Sequence, residues 1–346
     1  MKIIYFNSFL LSFICSISCF AGYNTKIVIR SDGNAYLNLY TEEGSRNILR
    51  YNRQSKVMDK YYPIQNQENC HINDSSIDPK GNMIAFFGYC KLQNISQSNL
   101  SAEGYYYLTI VDIKTKKIIV SFDHGGQLFS FSPQGDAIVY AEEIPGEPGS
   151  PAPPGYQGGV WLYNFNTKSK IKLDTSPVSP YGIRDINWSE HDGYIYLAGY
   201  LGKSIRYDVN SGKSELSPYK GIYFSSDGKY SVYTPFEGNA RIFNTTNNKV
   251  MSEWGKLILA EDKNQYPSMG FQFWSKKLNA GVFSVGGEKN VVFDVGQGKV
   301  IGVFPGYVVG TNPDGTLVAI HPLGPDNQRK IEILNLLDLI QPKSSE

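Results

Sequence analysis

A chain of 346 residues with 33 basic and 32 acidic side chains has a formal charge of +1 and no basic run, which argues against nucleic acid as a partner. The length is ample for a buried core and long for one ordinary domain. With 25 tyrosines and only 19% charged residues, the composition suits many short strands, and no convincing helix-period segment follows residue 21.

The first 21 residues read as an export signal. Lys2 is their one positive charge, residues 3–20 are mostly apolar, and Ala21-Gly22 offers small residues for cleavage. Two alternatives stand beside this: a retained membrane anchor, and lipidation at Cys19 in Ser16-Ile17-Ser18-Cys19. The expectation is a periplasmic or secreted protein with a single mature domain, 22–346, no membrane span after signal removal, and a monomeric state. Removing residues 1–21 takes away Lys2 and no acid, so 32 basic residues face 32 acidic ones. Cys15 and Cys19 leave with the signal. Cys70 and Cys90 remain and flank the turn Asp78-Pro79-Lys80-Gly81-Asn82 symmetrically, so they are expected to face each other across one hairpin and to pair in an oxidising compartment. Two free buried thiols are the alternative; the spacing fits no zinc motif.

From there two markers recur in the same order. The first is a turn: Ser31-Asp32-Gly33, Asp78-Pro79-Lys80-Gly81, Ser132-Pro133-Gln134-Gly135, Glu190-His191-Asp192-Gly193, Ser225-Ser226-Asp227-Gly228 and Asn312-Pro313-Asp314-Gly315. Proline pre-sets φ, and glycine accepts the positive φ needed to re-enter a strand. The sixth copy, Ser275-Lys276-Lys277-Leu278-Asn279, has Asn279 in the glycine's place. The second marker is a hydrophobic residue followed by Asp or Asn: Tyr51-Asn52, Val111-Asp112, Tyr163-Asn164, Tyr207-Asp208, Phe243-Asn244, Phe293-Asp294 and Leu334-Asn335. An Asx side chain there accepts a backbone hydrogen bond and starts the next hairpin.

Each unit reads as four short antiparallel strands. The repeats fall near 23–63, 69–123, 128–174, 181–218, 222–254, 269–305 and 307–341, and the pattern predicts an all-β, seven-bladed β-propeller. The fourth strand of the last repeat is assigned to the tail, 337–340. The run Phe131-Ser132-Pro133-Gln134-Gly135-Asp136-Ala137-Ile138-Val139-Tyr140, echoed by Asn312-Pro313-Asp314-Gly315-Thr316-Leu317-Val318-Ala319-Ile320, resembles the TolB-like and WD40-like propeller superfamily. The resemblance covers nearly all of the mature chain, but its motifs specify a blade and not an activity.

In a propeller the turns joining strands one–two and three–four share one face. The long insertions at 91–104, 144–159, 256–267 and 322–329 all fall on the other, which is where function is expected. Protein or peptide recognition there is the primary reading, with Glu147, Tyr156, Tyr181 and Tyr266 as candidate contacts, no cofactor and no catalytic residue assigned. The alternative is a metal-dependent lyase or lactonase at the channel mouth, with His71, His124 and His321 as ligands. Gly212-Lys213-Ser214 resembles the end of a phosphate loop but lies in a hairpin turn, and no Gly-x-Ser-x-Gly elbow is present. Five Asn-x-Ser/Thr sequons, at Asn73, Asn94, Asn99, Asn187 and Asn244, matter only in a eukaryotic source.

Overall fold

The tight turns hold the conformation that their residues predict. Gly81, Gly135, Gly193, Gly228 and Gly315 have φ between 65° and 77°, and Asn279 takes 47° in the copy without glycine. The computed structural model describes residues 27–30, 34–38, 47–52, 57–63, 70–91, 104–142, 159–176, 183–199, 202–234, 240–251, 269–285, 289–321 and 332–340.

The described strands pair antiparallel with their sequence neighbours, giving five sheets of four strands and two of three. The first is β1 (Ile27–Ile29), β2 (Ala35–Asn38), β3 (Asn47–Asn52) and β4 (Val57–Pro63). The second is β5 (Cys70–Ile77), β6 (Met83–Lys91), β7 (Gly104–Asp112) and β8 (Ile118–Asp123). Next come β9 (Gly125–Phe131), β10 (Ala137–Glu142), β11 (Gly159–Asn164) and β12 (Lys170–Leu173). The fourth holds β13 (Ile183–Trp188), β14 (Ile195–Gly199), β15 (Ser204–Asp208) and β16 (Lys213–Leu216). The fifth has β17 (Tyr223–Phe224), β18 (Tyr230–Tyr233) and β19 (Arg241–Asn244), with an isolated bridge from Phe243 to Val250. The sixth is β20 (Met269–Ser275), β21 (Ala280–Val285), β22 (Lys289–Asp294) and β23 (Lys299–Pro305). The last is β24 (Tyr307–Thr311), β25 (Leu317–His321) and β26 (Glu332–Asn335), followed by the short helix α1 (Leu336–Ile340).

The sheets stack as blades of a β-propeller. First strands pack on the first strands of neighbouring sheets, as β9 does on β13 and β1 on both β5 and β24. The second strands, β10 and β14, are buried along almost their whole length, because a sheet lies against each of their faces. The fourth strands β8, β12 and β16 are largely exposed, and lysines such as Lys170, Lys172 and Lys213 sit on β12 and β16. Charge on an outer edge discourages edge-to-edge pairing with another chain.

Hydrogen bonds cross from blade to blade. The Trp188 amide donates to Ser130 Oγ at 3.1 Å, Asn187 Nδ2 to the Ile222 carbonyl at 2.6 Å, and the Lys276 amide to the Asp314 carbonyl at 2.9 Å. The Asn187 sequon therefore has its amide nitrogen engaged inside the fold.

Two features correct the sequence expectation. Residues 336–340 are helix α1 and not a fourth strand, and α1 packs on β23 of the preceding sheet. The Asx marker explains this. In Asn164, Asp208 and Asn244 the side-chain oxygen accepts the amide two residues on and opens a hairpin, whereas Asn335 Oδ1 accepts from Leu337 at 3.2 Å and opens a helix. The hairpins turn back through a left-handed residue, Lys168, Gly212 or Asn248, whereas the apolar run Leu-Leu-Asp-Leu-Ile has no residue at positive φ and continues as helix. The second correction concerns the cysteine hairpin. Asp78 closes its turn against Met83 and not Asn82, and the extra residue Asn73 in β5 restores the register, so that Cys70 still pairs with Cys90.

Candidate binding site

The first strands carry a recurring irregularity near the edge where they enter their sheets. Pairing skips Asn73 in β5, Arg184 in β13, Gln272 in β20 and Val309 in β24, one extra residue in each. A bulge bends the strand and re-aims the side chains beside it. Next to two of these bulges an acid stands on an otherwise mixed inner strand, four residues before the turn position: Asp74 before Asp78, and Asp185 before Ser189.

At β13 the bulge builds a charged cluster across the junction of the fourth and fifth sheets. Asp185 Oδ1 accepts the Ile186 amide at 3.0 Å, and the Tyr223 hydroxyl on β17 donates to the Asp185 carboxyl. Burial raises the Asp185 pKa above the ordinary range; the Tyr223 bond, the Arg184 charge and the Ile186 amide oppose that shift without cancelling it. The Tyr223 phenol is held far above its usual value, by burial first and then by the Asp185 charge. Tyr223 is also tied to the sixth sheet. Its carbonyl accepts Trp274 Nε1 at 3.1 Å, and its ring lies 5.3 Å from that of Phe271.

Arg184, beside Asp185, is partly buried and has its guanidinium carbon 5.6 Å from the centre of the Tyr233 ring at the end of β18. Its Nε is buried with no hydrogen-bond partner. The Tyr233 hydroxyl in turn closes on Gly202, where an added Cβ would lie 3.1 Å from the phenol oxygen. Arginine, two tyrosines and an acid therefore lie at the junction of the two blades, where β13 and β17 begin and β18 ends.

The candidates named from sequence fall unevenly. Glu147, Tyr156, Tyr181 and Tyr266 lie outside the described residues, as do the side chains of His71 and His321. The backbones of those two histidines pair with Tyr89 and Tyr307 respectively. His124 is an exposed residue at φ 64° between β8 and β9, and its amide donates to the Tyr106 carbonyl at 2.7 Å. It shapes the tight link between two blades. Among the described residues no group of three His, Cys, Asp or Glu side chains is placed to hold a metal. Trp161 is partly buried under Lys170, whose Nζ stands 4.1 Å from the ring and 3.1 Å from Glu142 Oε1. Gly212 turns a β15–β16 hairpin, so the phosphate-loop resemblance has no strand-to-helix junction beneath it.

Cys70 and Cys90 form a disulfide, with Cα atoms 4.0 Å apart and both residues buried. The bridge clamps β5 to β6 at the edge from which the connection 92–103 leaves. The sequence reading did not single out Arg184 or Asp185. The signal was a charged pair inside Ile183-Arg184-Asp185-Ile186-Asn187-Trp188, on a strand that the repeat grammar places nearest the axis.

The class of protein is thus a β-propeller with four-stranded antiparallel blades and a disulfide in its second blade. No protein-family model matches the chain, and no curated protein matches it either. Among the described residues no helix is long and apolar enough to cross a membrane.

Proposed function

We propose that the chain is an exported, seven-bladed propeller that binds a protein or peptide partner on the face from which its long connections leave. One observation carries this reading. The described turns joining first to second and third to fourth strands are short and closed by backbone bonds, such as Gly135 to Ser132 and Gly212 to Asp208. The connections 92–103, 143–158, 252–268 and 322–331 all join strand ends on the opposite face. A rigid scaffold with variable loops on one face is a common arrangement for recognition.

The packing of β1 on β24 supports a ring in which all the sheets take part as blades. The Cys70–Cys90 bridge supports export, since such bridges persist in oxidising compartments, and so does the apolar stretch of residues 3–20. The likeness of the turn-and-strand runs to TolB-like and WD40-like propellers supports the blade architecture on which this reading rests.

Photocrosslinking from the two faces tests the reading. Asp123 and Lys114 are exposed residues at opposite ends of the outer part of the second sheet, on the loop face and the turn face respectively. A benzophenone side chain at 123 should capture a defined partner in the producing cell's envelope or secreted fraction, and one at 114 should not. Capture from 114 alone, or from neither, overturns the assignment.

A further inference from the structure

We infer that Arg184 anchors a carboxylate of the bound partner, end-on through its two terminal amino groups, against the face of Tyr233. This rests on the loop-face reading above and names the chemistry recognised there. Four observations carry it.

Among the described residues the guanidinium makes no hydrogen bond and no ion pair; it lies 5.6 Å from the Tyr233 ring and attracts Asp185 and Tyr223 only through its charge. An aromatic face steadies a cation but leaves all five N–H donors unused. A partly buried arginine in that state lacks the acceptor that such groups ordinarily have.

The nearest acid is already committed. Asp185 accepts from the Tyr223 hydroxyl and the Ile186 amide, and burial favours its neutral form. Arg184 and Asp185 are also consecutive residues at a bulge, where Arg184 is left out of the strand pairing. Asp185 attracts the Arg184 charge, yet its own acceptor oxygens are engaged by Tyr223 and Ile186.

Arg184 is only partly buried. Nε is covered, while the residue as a whole keeps some solvent contact and neither terminal nitrogen is buried without a partner. The planar fork of two amino groups matches the spacing of two carboxylate oxygens.

The position fits the proposed face. Arg184 is the second residue of β13, next to the connection 177–182, and Tyr233 is the last residue of β18, where the connection 235–239 leaves. A single guanidinium with an acid next to it favours a monoanion. A phosphate dianion would meet Asp185 with one charge unmatched.

The guanidinium resonances of isotope-labelled protein provide the test, with acetate, succinate, inorganic phosphate, and a tripeptide with either a free or an amidated C-terminus as probes. At constant ionic strength, the Arg184 signals should shift saturably with the carboxylates and the free-ended tripeptide, and not with chloride or the amidated peptide. Arg184→Gln should weaken that binding about tenfold or more, as expected for hydrogen bonds to a charged group, while an unchanged melting temperature shows the fold intact. Tighter binding of the free-ended tripeptide than of acetate assigns the carboxylate to a peptide end; tighter binding of succinate assigns it to a small acid. Either supports the anchor. The absence of saturable shifts overturns it, and tighter binding of phosphate than of any carboxylate overturns the choice of ligand. Crosslinked partner that binds Arg184→Gln as well as the unmodified protein sinks this inference and leaves the loop-face reading standing. Carboxylate binding without any crosslinked partner does the reverse.

Discussion

Tyr223 donates its hydroxyl hydrogen bond to Asp185 across a blade junction, so a partly buried acid of the fourth sheet is satisfied by a phenol of the fifth. Removing that donor leaves a desolvated acceptor short of a partner. Tyr223→Phe should therefore lower stability by about 1–3 kcal/mol in a denaturant titration, more than the loss of an exposed hydroxyl. A change within about 0.5 kcal/mol would mean that solvent reaches Asp185 freely.

The same acid sets a pH dependence. Its folded-state pKa is raised, so between the ordinary aspartate range and that raised value the native chain holds more protons than the unfolded one. Stability contributed through Asp185 is present below the ordinary range and is lost as the pH rises through the window. Asp112 and Asp208 act in the opposite sense. Turn hydrogen bonds from Thr115 and Ser211 lower their pKa values, so their contribution is present above the ordinary range and is lost as the pH falls. Asp185→Asn should thus gain melting temperature relative to the unmodified protein as the pH rises from about 4 to 7, and an advantage that stays constant over that range contradicts the assignment.

Gly228 and Gly298 separate strain from collision. Both sit at positive φ, 67° and 64°, yet an added Cβ at 228 would lie 2.1 Å from the His191 ring, and one at 298 would meet nothing within 4 Å. Gly298→Ala should cost about 1–2 kcal/mol for the left-handed backbone alone. Gly228→Ala should cost more, because the turn of the fifth blade must move off the turn of the fourth. Equal costs would mean that the imidazole swings away freely.

How much of this was legible follows from which residues act locally. Gly135 and Asn164 act within their own turns, so their roles and the blade boundaries could be read along the chain. The Cys70–Cys90 pairing was legible for the same reason, although its register depends on the bulge at Asn73. Asn335 was ambiguous because an Asx side chain opens either a hairpin or a helix, and only the turn chemistry after it decides. Arg184, Asp185 and Tyr223 were not legible, since their meeting depends on the packing of two blades whose strands lie about 40 residues apart in sequence.

The disulfide should stabilise by at most about 3 kcal/mol, since it closes a short loop that the hairpin already pairs. Melting with and without reductant measures this, alongside a Cys70→Ser/Cys90→Ser variant. Quantitative thiol labelling of both cysteines in exported protein would contradict the bridge.

The most direct test of recognition on the loop face replaces residues 143–158 with a two-residue turn. Glu142 and Gly159 already pair across β10 and β11, so the shortened connection joins strand ends that are in register. Loop length changes closure entropy by only about 0.6 kcal/mol per doubling, and the blade should stay folded. Melting temperature and affinity for the crosslinked partner are then measured on the same preparation. The account predicts a melting temperature within a few degrees of the unmodified protein and a partner affinity at least about tenfold weaker, the loss of roughly 1.4 kcal/mol of contacts. Unchanged affinity, or a protein that no longer folds, would contradict it.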